Sequence, residues 1–171
     1  GAECAHYQDC FVMKARKEAQ QADVVVYDRL VSAPIMNLVR RDAERIYVGK
    51  ESSRHTLSQT SIIALMLRLA QAGRSMLRLK GGDGYIFGRG GEEAQALAAA
   101  GVPFQVIPGL TAAQGASAST GIPLTHRDHA CALVLATGHL RDNNGLDMDW
   151  PMLARPRQVP MKLCISRNAA K

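Results

Sequence analysis

The sequence predicts an α/β fold in which a mostly parallel sheet is flanked by helices, on three observations. Strand-like and helix-like stretches alternate as far as Gly121-Ile122-Pro123, the order expected when helices cover both faces of a parallel sheet. The run Val24-Val25-Val26-Tyr27 has no polar interruption, the pattern of a strand buried on both faces. Polar and glycine-rich residues follow the strand-like runs directly, where an open parallel sheet collects its ligands.

A helical stretch over about residues 11–21 leads into the strand at 22–27, which ends at Asp28-Arg29. Residues 34–41 predict a helix with Pro34 in its first turn and Ile35, Leu38 and Val39 on one face. A strand at 45–48 follows. Residues 61–72 place Ile62, Met66 and Leu69 at helical spacing, and 75–79 predicts a strand running into Gly81-Gly82-Asp83. The alanine-rich stretch 92–100 predicts a helix stopped by Gly101, and Phe104-Gln105-Val106-Ile107 a further strand. Pro108-Gly109 then turns the chain toward a small-residue helix from Thr111. Past Pro123 the pattern weakens, and Ala132-Leu133-Val134-Leu135 opens a new strand. We place a boundary near residue 130, giving units 1–130 and 131–171, with no clear period in the tail from Val159.

The chain has 171 residues, 47% of them hydrophobic, enough for one α/β domain with a smaller attachment. Its apolar runs are too short for a membrane span, which needs about 18 consecutive residues, and residues 1–13 lack the basic-then-apolar order of a leader. These features point to a cytoplasmic protein. The four cysteines, at 4, 10, 131 and 164, form no CxxC pair, so neither a zinc ribbon nor a redox pair is written locally. A net charge of +6, spread along the chain, favours an anionic ligand such as a polycarboxylate, a phosphate or nucleic acid, and equally suits a plain basic surface.

Three polar features fall beyond the carboxyl ends of the strands: Asp28, Gly49-Lys50, and Gly81-Gly82-Asp83. Asp28 has the chemistry of a general base, and equally of a helix cap or an ion-pair partner of Arg29. Lys50 suits a proton donor or carboxylate binder, and equally a solvated surface position. The glycines at 81, 82, 84, 88, 90 and 91 allow close backbone approach to a ligand, or simply form two turns. Their spacing matches neither GxGxxG nor a P-loop, which argues against a dinucleotide or nucleoside triphosphate. His126 and His129 would suit a metal on a helix, but no third ligand accompanies them, and no metal is expected. His55 and His139 decide nothing.

Several strings, in order, resemble the uroporphyrinogen-III C-methyltransferases of the tetrapyrrole methylase fold. They are Gln20 to Ser32 (QQADVVVYDRLVS), Leu38 to Asp42 (LVRRD), Tyr47 to Lys50 (YVGK), Arg78 to Asp83 (RLKGGD), Ile86 to Glu93 (IFGRGGEE), Pro108-Gly109 with Thr111 to Ala113, Gly121 to Asp128 (GIPLTHRD), Thr137 to Leu140 (TGHL) and Leu153 to Gln158 (LARPRQ). The resemblance covers about residues 14–158. It implies a tetrapyrrole methylase-like α/β fold with an incomplete second α/β domain, and S-adenosylmethionine-dependent methylation of uroporphyrinogen III to precorrin-2, toward sirohaem or cobalamin. It also implies that Gly81, Gly82, Asp83, Ile86, Thr111 and Ala112 line the S-adenosylmethionine site, that Asp28 accepts and Lys50 donates a proton, and that the protein is a homodimer.

The tetrapyrrole's acetate and propionate arms give the positive charge a specific partner, with Arg29, Arg40, Arg41 and Lys50 expected around the cleft. Ribosomal RNA, accepted by related methylases of this fold, would also suit the charge, but Tyr27-Asp28-Arg29 and Gly88-Arg89-Gly90-Gly91 argue against nucleic acid. Cys4-Ala5-His6-Tyr7 stands where the family has a Gly-Pro-Gly-Asp loop, Gly84 replaces the usual proline, and the match ends after Gln158. These departures lead us to expect a truncated, N-terminally altered member, either active or a non-catalytic remnant.

Overall fold

The structure is a computed structural model, and it describes residues 2–49, 57–130, 132–137, 151 and 158–163. Two compact units, residues 1–109 and 110–171, divide the chain. The position expected as a boundary, near residue 130, lies within the second of these units, where the helix that precedes it packs with one of the strands that follow.

In the first unit, helix α1 (Ala2–Gln21) leads into β1 (Val24–Tyr27), followed by α2 (Ala33–Met36), β2 (Glu44–Tyr47), α3 (Gln59–Gln71), β3 (Met76–Leu79) and α4 (Gly90–Ala99). The strands form a parallel sheet in the order β2-β1-β3, with Val24 level with both Glu44 and Met76. Alternation along central β1 divides the core. Val24 and Val26 pack with Val48, Ile62, Met66, Leu69 and Leu97 on the α3/α4 side. Val25 packs with Ala19, Ala22, Met36, Val39 and Ala43 on the α1/α2 side. Full burial of these three valines stabilises the unit by about 1.5–3 kcal/mol each. The expected fold class, a parallel sheet between two helical layers, is what the structure shows.

Two local expectations change. The helix predicted over 34–41 stops at Met36, since the Arg40 amide donates to Ala19 O (3.2 Å) and Val39 is drawn into the core beside α1. Tertiary packing thus overrides a favourable helical pattern. Phe104–Ile107 has the composition of a strand but joins no ladder among the described residues, and Phe104 and Val106 are exposed. β-propensity measures fit to a neighbouring strand, so without one it leaves only extended chain. Cys4–Tyr7 lies within α1, so no turn forms there.

The second unit contains α5 (Ala112–Thr120), β4 (Ala132–Thr137) and β5 (Gln158–Leu163). The two strands pair in parallel, Ala132 level with Gln158 and Thr137 with Leu163, so part of the tail expected to be irregular is a strand. Helix α5 begins with a reciprocal capping box: the Gln114 amide donates to Thr111 Oγ1 (3.1 Å) and the Thr111 amide to Gln114 Oε1 (2.8 Å). It ends at Gly121, whose φ of +70° suits glycine at a helix C-terminus.

Candidate functional site at the carboxyl edge of the sheet

The parallel register brings the ends of β1, β2 and β3 to one edge, and with them Asp28, Gly49 and the loop from Lys80 to Gly84. Asp28 is partly buried. Its Oδ1 accepts the Leu30 amide at 3.0 Å, and its Oδ2 lies 3.5 Å from an Arg78 guanidinium nitrogen. The carboxylate is thereby held at both oxygens without being sealed from solvent.

The glycine loop is shaped by close packing. A Cβ on Gly81 would lie 2.6 Å from Leu30 O, and one on Gly109 would lie 2.8 Å from Gly82 O. Gly82 itself has a φ of +102°, a conformation that only glycine adopts cheaply. Asp83 ties the loop down: Oδ1 accepts the Tyr85 amide at 2.8 Å and Oδ2 the Gly109 amide at 3.1 Å. Each oxygen of this expected donor-site residue thus accepts one backbone amide, which holds the loop in shape. Among the described residues the exposed amides of Gly81 and Gly82 donate to no protein acceptor. Ile86 is exposed on the next turn, where Phe87 and Arg89 adopt left-handed backbone conformations, at φ +54° and +57°. Strain of this kind persists only where surroundings hold it in place. Arg89 is fastened by two bonds to Glu92, at 2.8 and 2.7 Å, which hold the guanidinium pKa above its ordinary value.

The largest feature the sequence reading missed is a buried charge network beside Asp28. Arg78 lies inside β3, where Leu77 and Leu79 face the α1/α2 layer, so its side chain turns to the α3/α4 layer. There its Nε donates to Glu93 Oε1 (3.3 Å), and one guanidinium nitrogen donates to the carbonyls of Val26 (3.3 Å) and Leu79 (3.0 Å). Glu93, in the first turn of α4, is 4% exposed and also accepts from Gln59 Nε2 at the start of α3 (3.0 Å). Lys80 Nζ stands 3.9 Å from the same Glu93 oxygen. Burial, and next the nearby Arg78 cation, hold the Lys80 ammonium pKa below its ordinary value, and Glu93 and Asp28 only partly oppose them. A readable signal did exist: a charge inside a buried parallel strand requires a buried partner.

The remaining expected residues divide. Arg40 is a correction. It pairs with Asp23 (3.3 Å), which precedes β1, so it stands at the opposite edge of the sheet from Asp28, and Arg41 follows it in the same turn. Thr111 and Ala112 begin α5 in the second unit, where the Thr111 hydroxyl serves as the helix cap. His126 and His129 stack at 4.5 Å on a tight turn closed by the Ala130 amide donating to His126 O, not on a helix. Lys50, His55 and His139 lie outside the described residues.

The chain is similar to known proteins in sequence and in fold. A siroheme synthase from Nitrosospira multiformis is 58% identical over 151 residues, covering 88% of this chain and 32% of that protein. The chain therefore spans about a third of the length of the curated relatives it matches. The crystal structure of a uroporphyrin-III C-methyltransferase from Thermus thermophilus superposes with a TM-score of 0.64 at 45% identity, over 74% of this chain and 53% of that one. A structure of the Thermus thermophilus enzyme complexed with S-adenosyl homocysteine gives a TM-score of 0.62 at 40% identity, over 79% of this chain and 56% of that one. The family model for tetrapyrrole (corrin/porphyrin) methylases matches residues 12–159, close to the span over which the sequence strings run. With a parallel sheet whose carboxyl edge carries a glycine loop and a held carboxylate, this chain belongs to the tetrapyrrole methylase family.

Proposed function

We propose that the chain carries out S-adenosylmethionine-dependent C-methylation of uroporphyrinogen III to precorrin-2, in sirohaem or cobalamin biosynthesis. The observation that carries this reading is the Gly81-Gly82-Asp83 loop, pinned by Asp83 at the edge where Asp28 ends the neighbouring strand. The loop fits a polar donor molecule, for it offers the amides of Gly81 and Gly82, two exposed residues whose N–H groups donate to no acceptor among the described residues. When bound, S-adenosylmethionine supplies a sulfonium methyl group, which needs positioning against a nucleophilic carbon more than covalent assistance.

In this reading Gly81, Gly82, Asp83, Ile86, Thr111 and Ala112 serve the donor, Asp83 by shaping the loop. Methylation at a pyrrole carbon leaves a cationic ring that must shed a proton. Asp28, held on Leu30 and Arg78, is the acceptor, and Lys50 the proton donor. Arg29, exposed beside Asp28, is suited to the substrate's carboxylate arms; Arg40 is not, being at the far edge. The protein acts in the cytoplasm as a homodimer, for which the exposed Leu110 and Ile122 of the second unit are candidate contacts. Nucleic acid has no part in this reading.

The test is release of S-adenosylhomocysteine by the purified chain, followed by chromatography, with and without uroporphyrinogen III. Substrate-dependent release that falls in Asp28→Asn is expected. Equal release in both conditions, from a sample that binds S-adenosylhomocysteine in calorimetry, would leave a donor-binding protein without this activity.

A further inference from the structure

We propose that Arg78 is a positioning residue for the Asp28 carboxylate and that Glu93, braced by Gln59, sets Arg78 for that task. The inference rests on the reading above in that it gives Asp28 work to do. Its physical basis lies in the geometry of the network itself.

A guanidinium has five N–H donors in a rigid plane, so fixing some of them fixes the direction of the rest. Here one terminal nitrogen is committed to the carbonyls of Val26 and Leu79, and Nε to Glu93. The other terminal nitrogen is then left pointing at Asp28 Oδ2, 3.5 Å away. That contact is the longest of the set, so the shorter bonds decide where the guanidinium sits and Asp28 adjusts to it. Glu93 is in turn fixed from a separate element, by Gln59 at the start of α3.

Three elements therefore converge on the orientation of one carboxylate: β3 supplies Arg78, α4 supplies Glu93, and α3 supplies Gln59. The arrangement is costly if its only purpose is stability, because it places Glu93 at 4% exposure and the Arg78 side chain at 11%. Packed apolar side chains of similar volume would join α4 to the sheet without those charges. They would also leave Asp28 held through Oδ1 alone, on the Leu30 amide, with Oδ2 free to swing.

The experiment uses the full chain with Arg78→Met, Arg78→Lys and Glu93→Gln, the last keeping the volume of the original while removing the charge that pairs with Arg78. Amide hydrogen exchange by NMR reads Leu30, whose N–H reports directly on the Asp28 carboxylate, with Val24 to Val26 as the folding control. Expected is a loss of Leu30 protection of about tenfold in Arg78→Met and a smaller loss in Glu93→Gln, with the valines unchanged. Lysine is not expected to rescue, since a point charge cannot reach Glu93, the Val26 carbonyl and Asp28 together. Unchanged Leu30 protection in Glu93→Gln with the valine amides intact overturns the proposal, whether or not the chain turns over substrate.

Activity supplies the second arm. In the wild-type background Glu93→Gln is expected to lower kcat with KM for uroporphyrinogen III nearly constant. In an Asp28→Asn background it is expected to change kcat by less than about twofold, because a residue acting through Asp28 has nothing left to act on. Additive losses in the double variant overturn the proposal. Absence of turnover in the wild type would instead sink the proposed function and leave the exchange result to decide the positioning role.

Discussion

Where the three parallel strands begin, Asp23, Arg40, Asp42, Glu44 and Arg74 pair in the open; where they end, Asp28, Arg78, Lys80 and Glu93 pair in the interior. At the first edge the Arg40–Asp23 side chains are 36% and 44% exposed, and the Arg74–Glu44 pair is similarly open. Arg40 Nε lies 3.2 Å from Asp42 Oδ1 without hydrogen-bond alignment, and with the Asp42 side chain 77% exposed the pair is weak. At the second edge the Arg78 and Glu93 side chains are 11% and 4% exposed. One edge uses charge to close off strand ends; the other uses it to hold a carboxylate beside a glycine loop. The same residue types thus do different work according to how far water reaches them.

Glu93→Leu is the largest test of that contrast. It leaves Arg78 and Lys80 without their buried carboxylate and should cost about 3–5 kcal/mol in denaturant unfolding. Glu44→Ala at the open edge should cost less than about 1 kcal/mol, and comparable losses at the two edges would erase the distinction drawn between them.

Gly82→Ala comes next. A side chain at φ +102° is strained, and a loss of about 1–3 kcal/mol is expected. Gly91→Ala, in α4 with open space around its Cβ position, should be neutral or stabilising by up to about 1 kcal/mol. Asp83→Ala removes both backbone clamps, so affinity for S-adenosylhomocysteine should fall by up to about thirtyfold in calorimetry, at about 1 kcal/mol for each of the two lost hydrogen bonds. Full-strength binding in that variant would mean the loop holds its shape without Asp83.

The smallest expected effect concerns Lys80. Its folded-state pKa lies below the unfolded value of 10.5, so between those two values the unfolded chain binds more protons and stability rises with pH. Below the folded pKa the cost of burying the ammonium is fully present. Lys80→Met should flatten that alkaline rise in denaturant melts taken at several pH values, whereas Arg40→Met at the open edge should leave it in place.

Much of this fold could be read before any coordinates. Three adjacent valines marked the central strand because burial on both faces tolerates no polar residue, and a small-residue helix was legible from Thr111, whereas its capping box and its left-handed stop at Gly121 were seen only in the structure. The glycine loop and Asp28 were legible as polar features just past strand ends. Glu93 was not, since an acid in the first turn of a helix ordinarily faces solvent and favours the helix dipole.

What the sequence determined by itself was local and periodic: where most of the strands and helices lie, that the strands run parallel, and that Asp28 and the glycine loop sit just past strand ends. Tertiary structure alone decided that Arg40 belongs to the far edge, that residues 104–107 find no partner strand among the described residues, that each Asp83 oxygen accepts a backbone amide, and that Glu93 and Arg78 meet in the interior. The reason is physical. Periodicity and caps act over a few residues, whereas a charge's partner, and the cost of burying it, depend on segments brought together from distant parts of the chain.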